Sequence, residues 1–157
     1  MAADRVSPAV RSRMMAGIRG KNTRPEILLR SALHERGLRY RLHRKDLPGR
    51  PDLVFPRYRA VVFVNGCFWH GHGCHLFRWP TTRQTFWKEK ISRNIERDER
   101  NNGALLTQGW RVATVWECAM KGPMRSRIDD IANSCASWLD SAEQQLEIAG
   151  DAQEPIG

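Results

Sequence analysis

The period of the apolar positions changes several times along the chain, and each change marks an element. Ser7-Pro8 reads as an N-cap followed by a first-turn proline, opening a short basic helix to about Ile18 that Gly20 ends. Thr23 and Glu26 have the spacing of a capping box. The helix they open carries Ile27, Leu28, Leu29 and Leu33 and stops at Gly37. Leu38, Tyr40 and Leu42 then alternate with Arg39, Arg41 and His43, the pattern of a half-exposed strand. After a turn at DLPGRP, Asp52–Phe55 and Ala60–Val64 read as two strands joined by Pro56-Arg57-Tyr58-Arg59. The second is almost continuously apolar, which predicts a central strand. Residues 65–80 form a loop rich in Cys, His, Gly and Trp. A long helix begins near Thr82–Thr85, with Trp87, Ile91 and Ile95 on one face. Trp110–Trp116 is a further strand, and residues 124–139 a last helix with Ile128, Ile131 and Trp138. The order predicts an α/β sandwich whose mixed central sheet is flanked by helices.

The chain divides into a basic arm (1–22), a main domain (23–140) and an acidic, flexible tail (141–157). With 157 residues there is room for one domain. Charge sharpens this division. The net charge is +9, yet the tail holds four acids (Glu143, Glu147, Asp151, Glu154) and no base. The first 140 residues therefore carry all 26 bases against 13 acids, a balance of +13. Such a surplus points to a polyanion, most simply nucleic acid. Arg outnumbers Lys 21 to 5, which suits phosphate forks and base edges, although a GC-rich genome also favours Arg. No apolar run approaches the roughly 18 residues of a spanning helix, and the N-terminus lacks the apolar stretch of a secretory signal. The expectation is a cytoplasmic protein whose cysteines stay reduced.

Three segments carry candidate chemistry. GCFWHGHGCH places Cys67, His70, His72, Cys74 and His75 within nine positions. Zinc takes four ligands from soft sulfur and imidazole, and a Gly-rich loop short of apolar residues needs a metal to hold its shape. Five candidates exceed one site, and Cys118, just after a strand, could supply a remote ligand. Cys135, inside a helix, reads as core. Second, Pro51-Asp52 opens a strand as in PD-(D/E)xK nucleases, where the aspartate holds Mg²⁺ against the scissile phosphate. The usual second carboxylate is missing, since Val64-Asn65 stands in its place, but the Val64 carbonyl is an adequate hard ligand. His70 is then a candidate base, and Glu26 either orients a water or serves the cap, with the cap favoured from sequence. Third, Phe68 and Trp69 sit on the loop, followed by Trp79, Phe86 and Trp87. Phe68 and Trp69 are either a wedge inserted between base pairs or a small core under the loop. Trp110, Trp116 and Trp138 read as core.

Together these segments resemble the very short patch repair (Vsr) endonucleases. The likeness is carried by LPGRPD at 47–52, VFVNGCFWHGHGC at 62–74, TRQTFWKEKISRNIERD at 82–98 and GWRVATVWEC at 109–118. It spans about residues 7–140. The resemblance implies a restriction-endonuclease-like fold with a structural zinc site. It implies a Mg²⁺-dependent enzyme that nicks duplex DNA 5′ of the thymine in a T:G mismatch left by deamination of 5-methylcytosine. It places Asp52 at the catalytic metal, His70 at the catalytic histidine and Glu26 at the glutamate supporting the hydrated metal. Cys67, His72, Cys74 and Cys118 match the zinc ligands, and Phe68, Trp69 and Trp87 the aromatic wedge. Lys90 and Asn94 match residues facing the mismatch, and Met15 a residue that reaches the DNA from the minor groove. Where the best-known members carry Thr-His, this chain has Val64-Asn65. A carbonyl role loses nothing at Val64, whereas Asn65 cannot transfer a proton.

The favoured reading is a monomeric, strand-specific mismatch endonuclease of the cytoplasm and nucleoid. The resemblance links it functionally to a cytosine-5 DNA methyltransferase and downstream repair proteins. Two alternatives stand beside it: a related site-specific nicking endonuclease of the same fold, and a non-catalytic zinc-containing DNA-binding module.

Overall fold

Strands with apolar side chains on both faces need helices on both sides, and that requirement sets the layers of this molecule. A computed structural model describes residues 23–150. The expected basic helix, with Met15, lies outside the described residues. The elements are α1 (Arg24–Glu35), β1 (Arg41–Leu42), β2 (Leu53–Phe55), β3 (Ala60–Asn65), α2 (Gln84–Thr107), β4 (Arg111–Trp116), α3 (Ile128–Leu139) and β5 (Gln145–Ile148). One mixed sheet runs β1-β2-β3-β4-β5, antiparallel from β1 to β3 and parallel from β3 to β5. The mixed α/β class expected from the sequence is present.

Alternation along the strands sends side chains to opposite faces. Leu53, Phe55, Ala60, Val62, Ala113 and Val115 meet α1 and α3 through Leu29, Leu33, Ile131, Cys135 and Trp138. Val54, Val61 and Val112 face the other way, onto Leu47 and Leu105 of α2. Only Ile91 and Leu105 of the 24 residues of α2 are buried. This helix, about 36 Å long at 1.5 Å per residue, leans on the sheet by its C-terminal end. Its N-terminal half is left to carry the loop after β3.

Four expectations need correction. The strand expected from Leu38 shrinks to Arg41–Leu42, because Leu38 and Tyr40 turn onto the core beside α1. The last helix begins at Ile128, not residue 124. Trp116 is no core residue but stacks on His72 of the Cys- and His-rich loop after β3. The tail is the largest departure, for residues 145–148 form β5, paired with β4. Arg111 explains it. Its guanidinium donates to the carbonyls of Trp138 (2.9 Å), Leu139 (2.8 Å), Ser141 (3.1 Å) and Glu143 (3.3 Å). A β4 side chain thereby caps the open end of α3 and steers the chain back beside its own strand.

Candidate metal centres and active site

Two clusters of donor atoms form at the ends of the central strands. The first follows from strand pairing. β3 and β4 are parallel neighbours with Asn65 opposite Trp116, so the segments after them emerge side by side. Cys67, His72 and Cys74 come from the loop after β3, and Cys118 from the 3-10 turn Glu117–Ala119 after β4. One donor atom from each lies within 4.8 Å of all the others. Cys118 Sγ stands 3.6 Å from His72 Nδ1. All four cysteines of the chain are free thiols. Burial pushes the Cys67 and Cys118 thiols up, so bare thiolates are disfavoured there, and a cation would reverse that balance. Three sulfurs and one imidazole at this spacing fit a closed tetrahedral metal site. His70 and exposed His75 stand outside the group.

The loop is braced on three sides. Gly71 has φ +64°, and a Cβ there would meet Ile95 Cδ1 at 2.5 Å, so only glycine lets the loop seat on α2. Asn94 donates to the Trp69 carbonyl at 2.9 Å. From the tail, Gly150 N–H donates to Cys118 Sγ at 3.2 Å. The His72 ring stacks on Trp116 at 4.1 Å and 7°, and the Trp116 indole donates to Glu147 Oε1 at 2.9 Å.

The second cluster comes from three separate elements. Glu26 is buried, with 1% of its surface exposed. Thr23 Oγ1 accepts from the Glu26 backbone N–H at 3.4 Å, so the cap uses the main chain. The carboxylate turns inward instead, and the expected competition between the two roles does not arise. Its Oε2 lies 3.0 Å from Arg30 Nη1 and 2.9 Å from His43 Nε2. Asp52, at the entry to β2, accepts from Val64 N–H at 2.7 Å and stands 3.9 Å from His43 Nε2. Burial pushes the Asp52 carboxyl up to about 8, with the nearby Glu26 adding to the rise and the Val64 N–H opposing it. A buried and a half-buried carboxylate held this close form a site that asks for a cation.

His43 was not among the residues expected here. The alternation of residues 38–43 placed it on the exposed side, but its φ of +48° breaks the strand's period and turns the ring inward. Its backbone N–H donates to the Asp52 carbonyl at 3.2 Å, which fixes the bend. Nothing in the local sequence signals this.

His70 too has a partner that no local sequence pattern signals. Its Nδ1 lies 2.5 Å from Asp98 Oδ2 on α2. With Nδ1–H donating to the carboxylate, the ring's lone pair sits on Nε2. Asn65 ends β3 immediately after Val64. The aromatic residues gather where the loop meets the start of α2. Phe68 contacts Trp69 (5.1 Å between ring centroids), Trp87 (5.4 Å) and Phe77 (5.8 Å), and Trp69 reaches Trp87 at 5.9 Å. The cluster is neither a buried core nor isolated at a loop tip. Its rim is open, with Trp79 44% and Phe86 39% exposed. Half-buried Lys90 and Asn94 lie on the same helix.

Comparison with known proteins gives this arrangement a family. Residues 3–76 match the family model described as DNA mismatch endonuclease Vsr. The chain is 52% identical over 130 residues to the type II nicking enzyme V.XorIIP of Xanthomonas oryzae pv. oryzae, covering 82% of this chain and 96% of that one. It is 42% identical over 150 residues to the DNA mismatch endonuclease Vsr of Escherichia coli K12, covering 94% and 96%. With the type II nicking enzyme V.HpaIIP of Haemophilus parainfluenzae it shares 34% identity over 129 residues, covering 80% and 92%. Relatives matched over nearly their whole length imply the nuclease fold of that family and DNA as substrate. The chain belongs to the Vsr family of DNA mismatch endonucleases.

Proposed function

We propose that this enzyme nicks one strand of duplex DNA 5′ of the thymine in a T:G mismatch, such as deamination of 5-methylcytosine leaves. The observation that carries the reading is one run of chain. β3 gives its Val64 N–H to Asp52, then passes within six residues to His70 and its partner Asp98. Val64 beside Asp52, the base His70 and the rings of Phe68 and Trp69 thus lie on one run of chain.

Asp52, Glu26 and the Val64 carbonyl would hold Mg²⁺. A residue in extended pairing presents its N–H and C=O to the same side, so the Val64 carbonyl belongs with its N–H on the Asp52 side. When bound there, the cation would offset the charge that builds on the scissile phosphate. His70 Nε2 accepts the proton of the attacking water, and Asp98 keeps the ring in the tautomer that can do so. Asn65 donates a hydrogen bond but moves no proton. Cys67, His72, Cys74 and Cys118 would hold a structural zinc that fixes the loop. Phe68, Trp69 and Trp87 enter the stack at the weakened wobble pair, where opening costs least. Lys90 and Asn94 face the mismatch, with Asn94 also holding the Trp69 carbonyl. In this reading the enzyme is a cytoplasmic monomer, with 1–22 as a basic arm whose Met15 touches the minor groove. It serves the genome marked by a cytosine-5 methyltransferase and hands its nick to downstream repair proteins.

The test is incubation with Mg²⁺ and end-labelled duplexes differing at one pair: T:G, T:A and C:G in several flanking sequences. A single nick 5′ of the mismatched thymine is expected. Equal nicking of the matched duplex at a fixed sequence would make it a site-specific nicking enzyme instead. Binding without cleavage would leave a DNA-binding module.

A further inference from the structure

The carboxylate cluster contains a donor that an all-oxygen Mg²⁺ site does not use. His43 Nε2 stands 2.9 Å from Glu26 Oε2 and 3.9 Å from Asp52 Oδ1. The donor atoms of Glu26, His43 and Asp52 lie within 4.8 Å of one another. Two ligand atoms about 2.1 Å from one ion and at right angles are about 3 Å apart, so these spacings suit a shared ion. The His43 ring is 12% exposed and is turned into the site by a left-handed backbone whose N–H is tied to the Asp52 carbonyl. A role as mere counter-charge to Glu26 is already filled, since Arg30 lies 3.0 Å from the same oxygen.

We propose that His43 is a direct metal ligand and that, with Glu26 and Asp52, it makes this centre prefer a first-row transition ion such as Mn²⁺ over Mg²⁺. The proposal rests on the carboxylate cluster being the catalytic metal site. Its chemical basis is ligand softness. Mg²⁺ favours oxygen donors and keeps its waters, whereas imidazole nitrogen stabilises Mn²⁺ and the ions after it. One histidine among two carboxylates therefore shifts selectivity without adding charge.

The experiment is a Mn²⁺ titration of the full-length protein without DNA, followed by electron paramagnetic resonance, with Mg²⁺ as competitor. Pulsed resonance reads nitrogen coupling to the bound Mn²⁺, and ¹⁵N-histidine labelling identifies its source in the unmutated protein. Wild type is expected to bind one Mn²⁺ at an Asp52-dependent site with histidine nitrogen coupling. His43→Gln should lose that coupling and weaken Mn²⁺ by roughly 10–100-fold, the loss seen even for outer-shell partners, while Mg²⁺ changes little. Absence of nitrogen coupling in wild type, or an unchanged Mn²⁺ to Mg²⁺ ratio in His43→Gln, overturns the proposal but leaves the carboxylate site standing. Tighter binding of both ions in His43→Gln also overturns it, because the imidazole would then be a competing cation. If Asp52→Asn binds Mn²⁺ as wild type does, the site itself is misplaced and both readings fail.

Discussion

The two donor clusters are built by opposite routes. Three donors of the sulfur-rich cluster come from eight consecutive residues, Cys67 to Cys74, and strand pairing adds only Cys118. The carboxylate cluster draws Glu26 from a helix, His43 from a strand end and Asp52 from the next strand, each held by a different contact. The first is a loop with little buried apolar surface, so its shape depends on what it ligates. The second is set into a packed sheet and helix, so its shape survives without an ion. Metal should therefore act as structure in one centre and as chemistry in the other.

The largest effect should follow from emptying the sulfur-rich centre. Structural zinc contributes about 10–16 kcal/mol in small domains, comparable with the whole stability of a fold of this size. Cys118→Ala, or stripping with a strong chelator, is expected to lower metal content, melting temperature and nicking together. Once the loop opens, Cys67, Cys74 and Cys118 leave the burial that disfavours their thiolates and should react with an alkylating reagent at pH 8 before Cys135, which stays in the core under α3 until the fold itself is lost. An unchanged melting curve after stripping would remove the distinction between the centres.

Next come variants of the carboxylate cluster and of the His70–Asp98 pair, which should lose rate without losing fold. Asp52→Ala is expected to abolish nicking while DNA binding persists, since the basic residues that contact phosphate are untouched. His70→Ala should cost about 10²–10⁴ in rate and keep its metal content. Asp98→Asn should cost less than His70→Ala, because the base remains and only its orientation is loosened. If His70→Ala loses metal and His72→Ala keeps it, the roles within the loop are exchanged. A smaller change belongs to Trp69→Ala, which should reduce the ratio of mismatched to matched binding by roughly tenfold, one stacking contact's worth. The salt dependence, set by phosphate contacts, should stay constant.

The contrast also accounts for what could be read from the sequence. Cys67, His72 and Cys74 were visible because one loop carries them, and the apolar run of β3 made the strand beneath it unmistakable. Asp52 became a candidate through Pro51-Asp52 at a strand start and Glu26 through its place on the preceding helix, and the structure brings them into one cluster. His43 and Asp98 escaped because their roles depend on partners 17 and 28 residues away, and in His43 on a backbone that leaves its strand's period. The tail escaped for another reason. Gln145, Leu146, Glu147 and Ile148 do alternate, but four residues among acids and small side chains are a weak strand. What makes them one is Arg111, whose hold on the end of α3 has no signature in sequence.

That overlooked strand supplies the finest test of the comparison. If the sulfur-rich centre depends on its surroundings for shape, outer contacts should tune how firmly it keeps its ion. Glu147 accepts from the Trp116 indole, and Trp116 lies flat against His72. The carboxylate thus steadies the face on which a ligand ring rests, without reaching the ligand. Glu147 is exposed and its hydrogen bond lies on the surface, so Glu147→Ala should cost at most about 1 kcal/mol in stability. Its effect on metal release should be larger in proportion, since outer-shell partners commonly change affinity by about 10–100-fold. Glu147→Gln keeps an acceptor oxygen and should restore most of the retention, which separates the hydrogen bond from the charge. The measurement is transfer of zinc to a chromophoric chelator from wild type and both variants, beside their melting curves. Faster release from Glu147→Ala with near-normal melting would show that β5 tunes the centre. Equal release from all three proteins would show that the loop, Gly71 and α2 hold the centre without it.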